Sequence, residues 1–255
     1  MKTEQTLRTG FWNRSHYLDR MTLKELTVAY FQYPAIIAYL TLAVVSAGVY
    51  VWRPAAPVQT LASIAIAILV YPLAWYVLHR WVLHSQWMWK VKFLAPTWKR
   101  IHYDHHQDPN HLEILFGALH TTLPTIVIAT APLGYLIGGV GGAAIATSTG
   151  LLTTCFYEFC HCIQHLGYKP KSKWLATIKQ RHMAHHFHNE NGNFGITNYF
   201  WDRLFGTFYE RAGERKKSPT VFNLGYTQEV AEKYPYVAEL SGGVASGHPR
   251  KRKQD

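Results

Sequence analysis

Residues 54–84 read PAAPVQTLASIAIAILVYPLAWYVLHRWVLH. From 54 to 78 this stretch carries no Asp, Glu, Lys or Arg. A helix that crosses a bilayer needs about 20 predominantly apolar residues, so the run predicts one crossing over 60–78. It ends at His79 and His84, two imidazoles set where the apolar run stops. Residues 26–52 are also free of Asp, Glu, Lys and Arg, and so are residues 114–157. The first of these runs holds one helix. The second is long enough for two, broken at Gly138-Gly139-Val140-Gly141-Gly142, where glycine makes a reversal cheap. Four spans are therefore expected, at 34–52, 60–78, 117–137 and 143–160. The expected fold is all-α: a multi-pass membrane protein of about four transmembrane helices with a cytosolic helical cap. The mean hydropathy is only −0.10 because the C-terminal third is polar.

Charge placement orients the chain. There are 26 Lys and Arg against 15 Asp and Glu, a net charge of +11. Arg53 alone among the basic residues falls in a turn on the far side; the others lie before the first span, between the second and third, or after the fourth. That is the positive-inside pattern, and it places both termini in the cytoplasm. It also explains the basic balance without nucleic acid. The tail Arg250-Lys251-Arg252-Lys253 reads as a solvated end. Three cysteines, Cys155, Cys160 and Cys162, do not make a disulfide framework. No apolar signal segment opens the first 30 residues.

The chain divides into an N-terminal interfacial segment (1–33), a membrane catalytic domain (34–210) and a polar C-terminal cap with a basic tail (211–255). Residues 14–33 suit a helix that either floats on headgroups or packs on the cap. Trp75, Trp81, Trp87, Trp89 and Trp98 crowd the cytoplasmic end of the second span, as expected of a ring that favours the water–lipid boundary.

Ten of the 15 histidines fall in four clusters: His79 and His84; His102, His105 and His106; His161 and His165; His182, His185 and His186. Neutral imidazole is the commonest metal ligand among side chains. One tetrahedral ion takes four ligands, so ten point to two ions. Positions i, i+3 and i+4 share a helix face, as do i and i+4. His79 and His84 are i and i+5, about 140° apart on a regular α-helix. They reach different metals, or a local bulge brings them together. An all-imidazole set suits iron, zinc, copper or nickel. Glu158 and Asp104 are read as partners that orient an imidazole or as ligands. His111 and His120 are read as orienting groups or substrate contacts. His16 and His248 are expected to be solvated, and His188 to face away from its triad. Tyr103, Tyr157 and Phe187 lie within or beside the clusters and are expected to pack.

The boxes HRWVLH (79–84), HYDHH (102–106), HCIQH (161–165) and HMAHH (182–186), in that order, resemble the fatty acid hydroxylase and sterol desaturase superfamily of membrane dimetal enzymes. Asn193-Phe194-Gly195 followed by Trp201-Asp202-Arg203-Leu204-Phe205-Gly206-Thr207 is similar to that family's ending. The resemblance covers roughly residues 35–210 and is strongest to the fatty acid 2-hydroxylase branch. It implies that all ten boxed histidines are metal ligands of two iron ions, with zinc able to substitute in purified protein and O₂ as co-substrate. It implies oxidation of an unactivated C–H bond of a membrane lipid to an alcohol or, with loss of a second hydrogen, an alkene. A sterol or carotenoid is the alternative substrate. Electrons would come from a separate donor (cytochrome b5, ferredoxin or a reductase), because no dinucleotide-binding motif is present. The setting would be a bacterial cytoplasmic membrane or the endoplasmic reticulum. A metal transporter would place its ligands nearer the membrane midplane. A zinc hydrolase needs only one catalytic metal with an open site and leaves most of the ten histidines unexplained.

Overall fold

The computed structural model describes residues 16–245. The tail 250–253, His248 and the first two residues of the expected interfacial helix lie outside the described residues. Within them the chain is helical and forms no strand; the single β-bridge joins Tyr17 to His111. It is an all-α membrane protein.

Three helical stretches are long and apolar enough to cross a membrane: Pro34–Trp52, Pro57–Leu83 and Leu119–His165. The third is a hairpin. Helical geometry breaks at Gly138 (φ −142°) and Gly139 (φ +58°), the latter a left-handed conformation that favours glycine. Residues 119–137 and 140–165 then run antiparallel. Gly134 lies against the backbone of Gly142, and Gly150 against Ile126 and Thr130, so that no Cβ would fit at these crossings. Four legs result, as the charge pattern predicts. The second leg starts at Pro57, three residues earlier than expected, because proline at the first helical position gives up no hydrogen bond. The fourth runs on to His165 instead of ending near 160, which puts His161 and His165 on its last turns.

The first and second legs both pack on the hairpin. Small residues permit this: Ser148 Oγ donates to the carbonyl of Ala43 at 3.0 Å, and Gly141 nestles against the 53–55 turn. Outward-facing Val44 (73% exposed), Leu69 (67%) and Leu136 (81%) form an apolar surface suited to lipid.

The N-terminal segment packs on the protein. Thr22 closes a capping box with Glu25, starting a helix at Leu23–Gln32. This cap splits the single helix expected over 14–33 into a short 3₁₀ turn, Leu18–Arg20, and the helix proper. Leu18, Leu26 and Tyr30 are buried in one core with Ile36, Leu112 and Ile163, and Tyr30 donates to the carbonyl of Cys155.

A second core lies beside the histidines. Met88, Trp89, Trp98 and Tyr103 pack with Leu224, Tyr226 and Val237. Trp89 and Trp98 are therefore buried, at 2% and 0% exposure, and do not sit at a lipid boundary; the C-terminal segment covers them. Trp81 and Trp87 remain exposed.

Candidate metal centre

Two π-helical turns build the site. His79–Leu83 forms one, and the His84 N–H bonds the His79 carbonyl at 3.0 Å. Bonding i to i+5 widens the turn and closes the 140° gap of a regular helix. The two rings come within 4.9 Å, centroid to centroid, and their Nε2 atoms within 3.2 Å. Lys99–Tyr103 forms the second π turn and carries His102 to 2.8 Å from His84, Nε2 to Nε2.

The ten histidines resolve into two groups of five. One holds His79, His84, His102, His106 and His185; the other holds His105, His161, His165, His182 and His186. Within each group every residue offers a ring nitrogen, and these nitrogens all lie within 4.8 Å of one another. The two triads are shared between the groups. Each sends its i and i+4 members one way and its middle residue, His105 or His185, to the other. The groups touch where the His106 and His186 rings are 4.3 Å apart. All ten are buried or, for His84 and His161, nearly so.

The residues fit metal ions. Nε2 of His105, His106, His161, His185 and His186 is buried with no hydrogen-bond partner among the described residues. A buried, unsatisfied polar atom costs about 1–3 kcal/mol, so a cluster of them requires compensation. Two nitrogens bound to one ion at about 2.1 Å each can lie no more than about 4.2 Å apart. The observed Nε2 pairs match: 3.2 Å for His79–His84, 2.8 Å for His84–His102 and 2.9 Å for His165–His182. Burial, with neighbouring imidazoles adding to it, holds His102, His105, His182 and His186 well below the ordinary histidine range. Burial brings His106 down to about 3. These rings are neutral and keep a lone pair to donate.

Three backbone carbonyls orient the first group. Nδ1 of His79 donates to Phe194 O (2.6 Å), Nδ1 of His106 to Val221 O (2.9 Å) and Nδ1 of His185 to Gly192 O (2.8 Å). Each leaves Nε2 facing the group, and such partners fix both tautomer and ring direction. Phe194 and Gly192 belong to a loop built by Asn193 and Asp202. Asn193 takes a left-handed backbone (φ +56°), which Asn tolerates better than most residues. Its side chain exchanges hydrogen bonds with the Tyr209 backbone. Asp202, fully buried, accepts from Phe194 N (2.7 Å), Gly195 N (2.9 Å) and Thr207 Oγ1 (2.8 Å). The Asn193–Gly195 and Trp201–Thr207 motifs are visible in the sequence. Their task is not, because the groups they aim are backbone carbonyls.

Other expected contributors lie elsewhere. Asp104 pairs with Lys99 at 2.7 Å. Glu158 is buried and lines the space beside His79, His102, His105 and His161, but belongs to neither group of five. Cys160 and Cys162 are free and belong to neither group. His111 and His16 both bind Glu113, at 2.9 and 2.7 Å, so His16 is not simply solvated. His120 is exposed where the third leg begins. His188 Nε2 bonds Arg215 O at 2.7 Å, away from both groups. Tyr103 stacks near Trp98, Tyr157 on Trp75 and Phe187 against Phe222.

An apolar cavity of about 300 Å³ adjoins the centre between the second and third legs, with Leu78, Val82, Met88, Leu94 and Thr125 in its wall. Trp75, Leu83, Ile101 and Gly117 are shared between this cavity and a smaller space lined by His79, His102, His105 and His161.

The sequence model of the fatty acid hydroxylase family matches residues 64–207, more than half of the chain. This protein belongs to the fatty acid hydroxylase family. It is 29% identical over 150 residues to the ceramide very long chain fatty acid hydroxylase SCS7 of Saccharomyces cerevisiae, covering 56% of this chain and 37% of that one. It is 30% identical over 166 residues to the dihydroceramide fatty acyl 2-hydroxylase FAH1 of Arabidopsis thaliana, covering 60% of this chain and 63% of that one. The chain thus matches about a third to two thirds of these relatives' length. The solved structure of full-length scs7p, in which only the hydroxylase domain is visible, superposes with a TM-score of 0.59 at 24% identity, over 74% of this chain and 69% of that one. That likeness concerns the fold.

Proposed function

We propose that this family member is an O₂-dependent lipid hydroxylase whose ten boxed histidines hold two iron ions, five to each. The observation that carries the proposal is the pair of five-imidazole groups, with unsatisfied nitrogens, at the end of an apolar cavity. When bound, the irons would supply the O₂ chemistry that oxidises an unactivated C–H bond. Zinc, which also favours imidazole, would substitute without supporting turnover.

The chain's own residues do the rest. His79, His106 and His185 are held by backbone carbonyls, so the first group is rigid before any ion arrives. The cavity wall admits an acyl chain and excludes water; its polar side chains, such as Thr121 and Thr125, spend their hydroxyls on helix carbonyls. Trp75 and Tyr157, stacked at 5.2 Å, stand where that wall meets the histidines and limit how far a chain can advance. The cap and termini face the cytoplasm by the charge pattern, where a separate protein delivers electrons. The named relatives act on the fatty acyl group of ceramide or dihydroceramide, and a fatty acyl lipid is the substrate class proposed here.

Lipids from a host with and without the protein, grown under air and under ¹⁸O₂, test this reading. One lipid species should gain the mass of a single oxygen atom and carry the heavy isotope under ¹⁸O₂. Loss of two hydrogens instead would make the protein a desaturase. No lipid change in cells with iron-loaded protein and a competent reductant would refute lipid oxidation.

A further inference from the structure

The side of the cap that carries the Asp202 loop exposes a continuous apolar rim. Trp81 (45%), Phe200 (62%), Leu204 (62%) and Phe205 (41%) are all open on the chain's own surface. A patch of this kind marks an interaction site. Phe205 at one end of the rim, and Trp174 beyond the other, stack on membrane legs. At one end Phe205 lies on Tyr76, near the end of the second leg's uncharged run, with ring centroids 5.3 Å apart and planes 13° from parallel. Trp81 meets Phe205 edge-on at 5.5 Å. Beyond the other end Trp174 donates to the carbonyl of Thr197 at 3.3 Å and stacks on Phe156 of the fourth leg at 6.4 Å and 11°. Tyr76 and Phe156 both lie inside the uncharged runs, close to where each ends. The rim is therefore level with the edge of the apolar band. Arg80, over Trp81 at 5.0 Å, and exposed Arg203 supply cations at that height.

We infer that this rim is seated in the headgroup–acyl boundary of the same bilayer that the legs cross, so that lipid is the partner of the 197–205 segment. Continuity with Trp174 (47% exposed) and with Phe156 (55%) on the outer face of the fourth leg selects lipid over a second protein. Aromatic rings with flanking arginines suit that boundary, where an amphipathic element sinks about 5–10 Å. The inner side of the segment bears Asp202, which holds the Phe194 N–H and so keeps the Phe194 carbonyl facing His79. Lipid seating would thus brace one wall of the histidine centre. The inference rests on the membrane-spanning fold and not on the metal or the reaction.

The test uses nitroxide labels on Leu204→Cys and, separately, Phe200→Cys, in full-length protein in phosphatidylcholine nanodiscs. Labelled wild-type protein gives the background from Cys155, Cys160 and Cys162. Glu229→Cys, exposed on the cap, is the water-facing control. Labels at 204 and 200 should relax more with O₂ than with a water-soluble nickel chelate, and the label at 229 should do the reverse. Equal, chelate-dominated relaxation at all three sites would overturn the inference. Protection of 204 and 200 from both agents would also overturn it, because the rim would then be covered by protein.

Discussion

Replacing His185 with Ala should remove one metal ion per chain and leave the other, and replacing His105 with Ala should do the same at the opposite group. Each is the middle member of its triad, and each crosses to the group built mainly by the other half of the chain. Losing one of five imidazoles opens one shell and leaves its neighbour's set complete. Partners that merely orient a ligand are worth about 10–100-fold in affinity or activity, so removal of a ligand should lower turnover by roughly 100-fold or more. Metal analysis of the two variants should show about one ion per chain in each, and the double variant close to none. Two ions per chain with full activity in both single variants would refute the division into two groups. Loss of both ions in each single variant would mean the groups bind as one unit.

Asp202→Ala should give the second large effect, at a residue that touches no imidazole. Its carboxylate satisfies two backbone N–H groups and the Thr207 hydroxyl inside the protein. Each donor left unsatisfied costs about 1–3 kcal/mol, so the variant should lose about 3 kcal/mol or more of stability. The Phe194 carbonyl would also lose its fixed position against His79. Metal affinity should fall by about 10–100-fold, and the ion held by the His79 group should leave first. Asp202→Asn keeps an acceptor but turns an amide N–H₂ toward a donor, and should fall between Ala and wild type. A metal titration in detergent, read beside thermal unfolding, checks both effects. Wild-type affinity in a destabilised Asp202→Ala protein would make Asp202 a folding residue only.

The histidine boxes and the uncharged runs are legible because both are properties of side-chain identity along the chain. The four legs follow from where charge is absent, and the hairpin from a glycine run at which two residues leave helical geometry. The pairing of His79 with His84 is less legible. A spacing of five fits a π turn as readily as two divergent positions, and nothing local chooses between them. The division of the triads is hidden for a different reason. His105 and His106 are adjacent in sequence yet serve different groups, a choice made by helices that meet only after folding. Trp89 and Trp98 show the limit of composition. Tryptophan near a span end suits a lipid boundary, but here residues 224–245 cover both rings. The carbonyls of Gly192, Phe194 and Val221 are the least legible part of the site, since any residue type carries one.

Anomalous diffraction at the iron edge from metal-replete protein locates the ions directly. Two peaks are expected, one enclosed by His79, His84, His102, His106 and His185 and the other by His105, His161, His165, His182 and His186. A single peak, or iron bound outside these ten residues, would contradict that assignment.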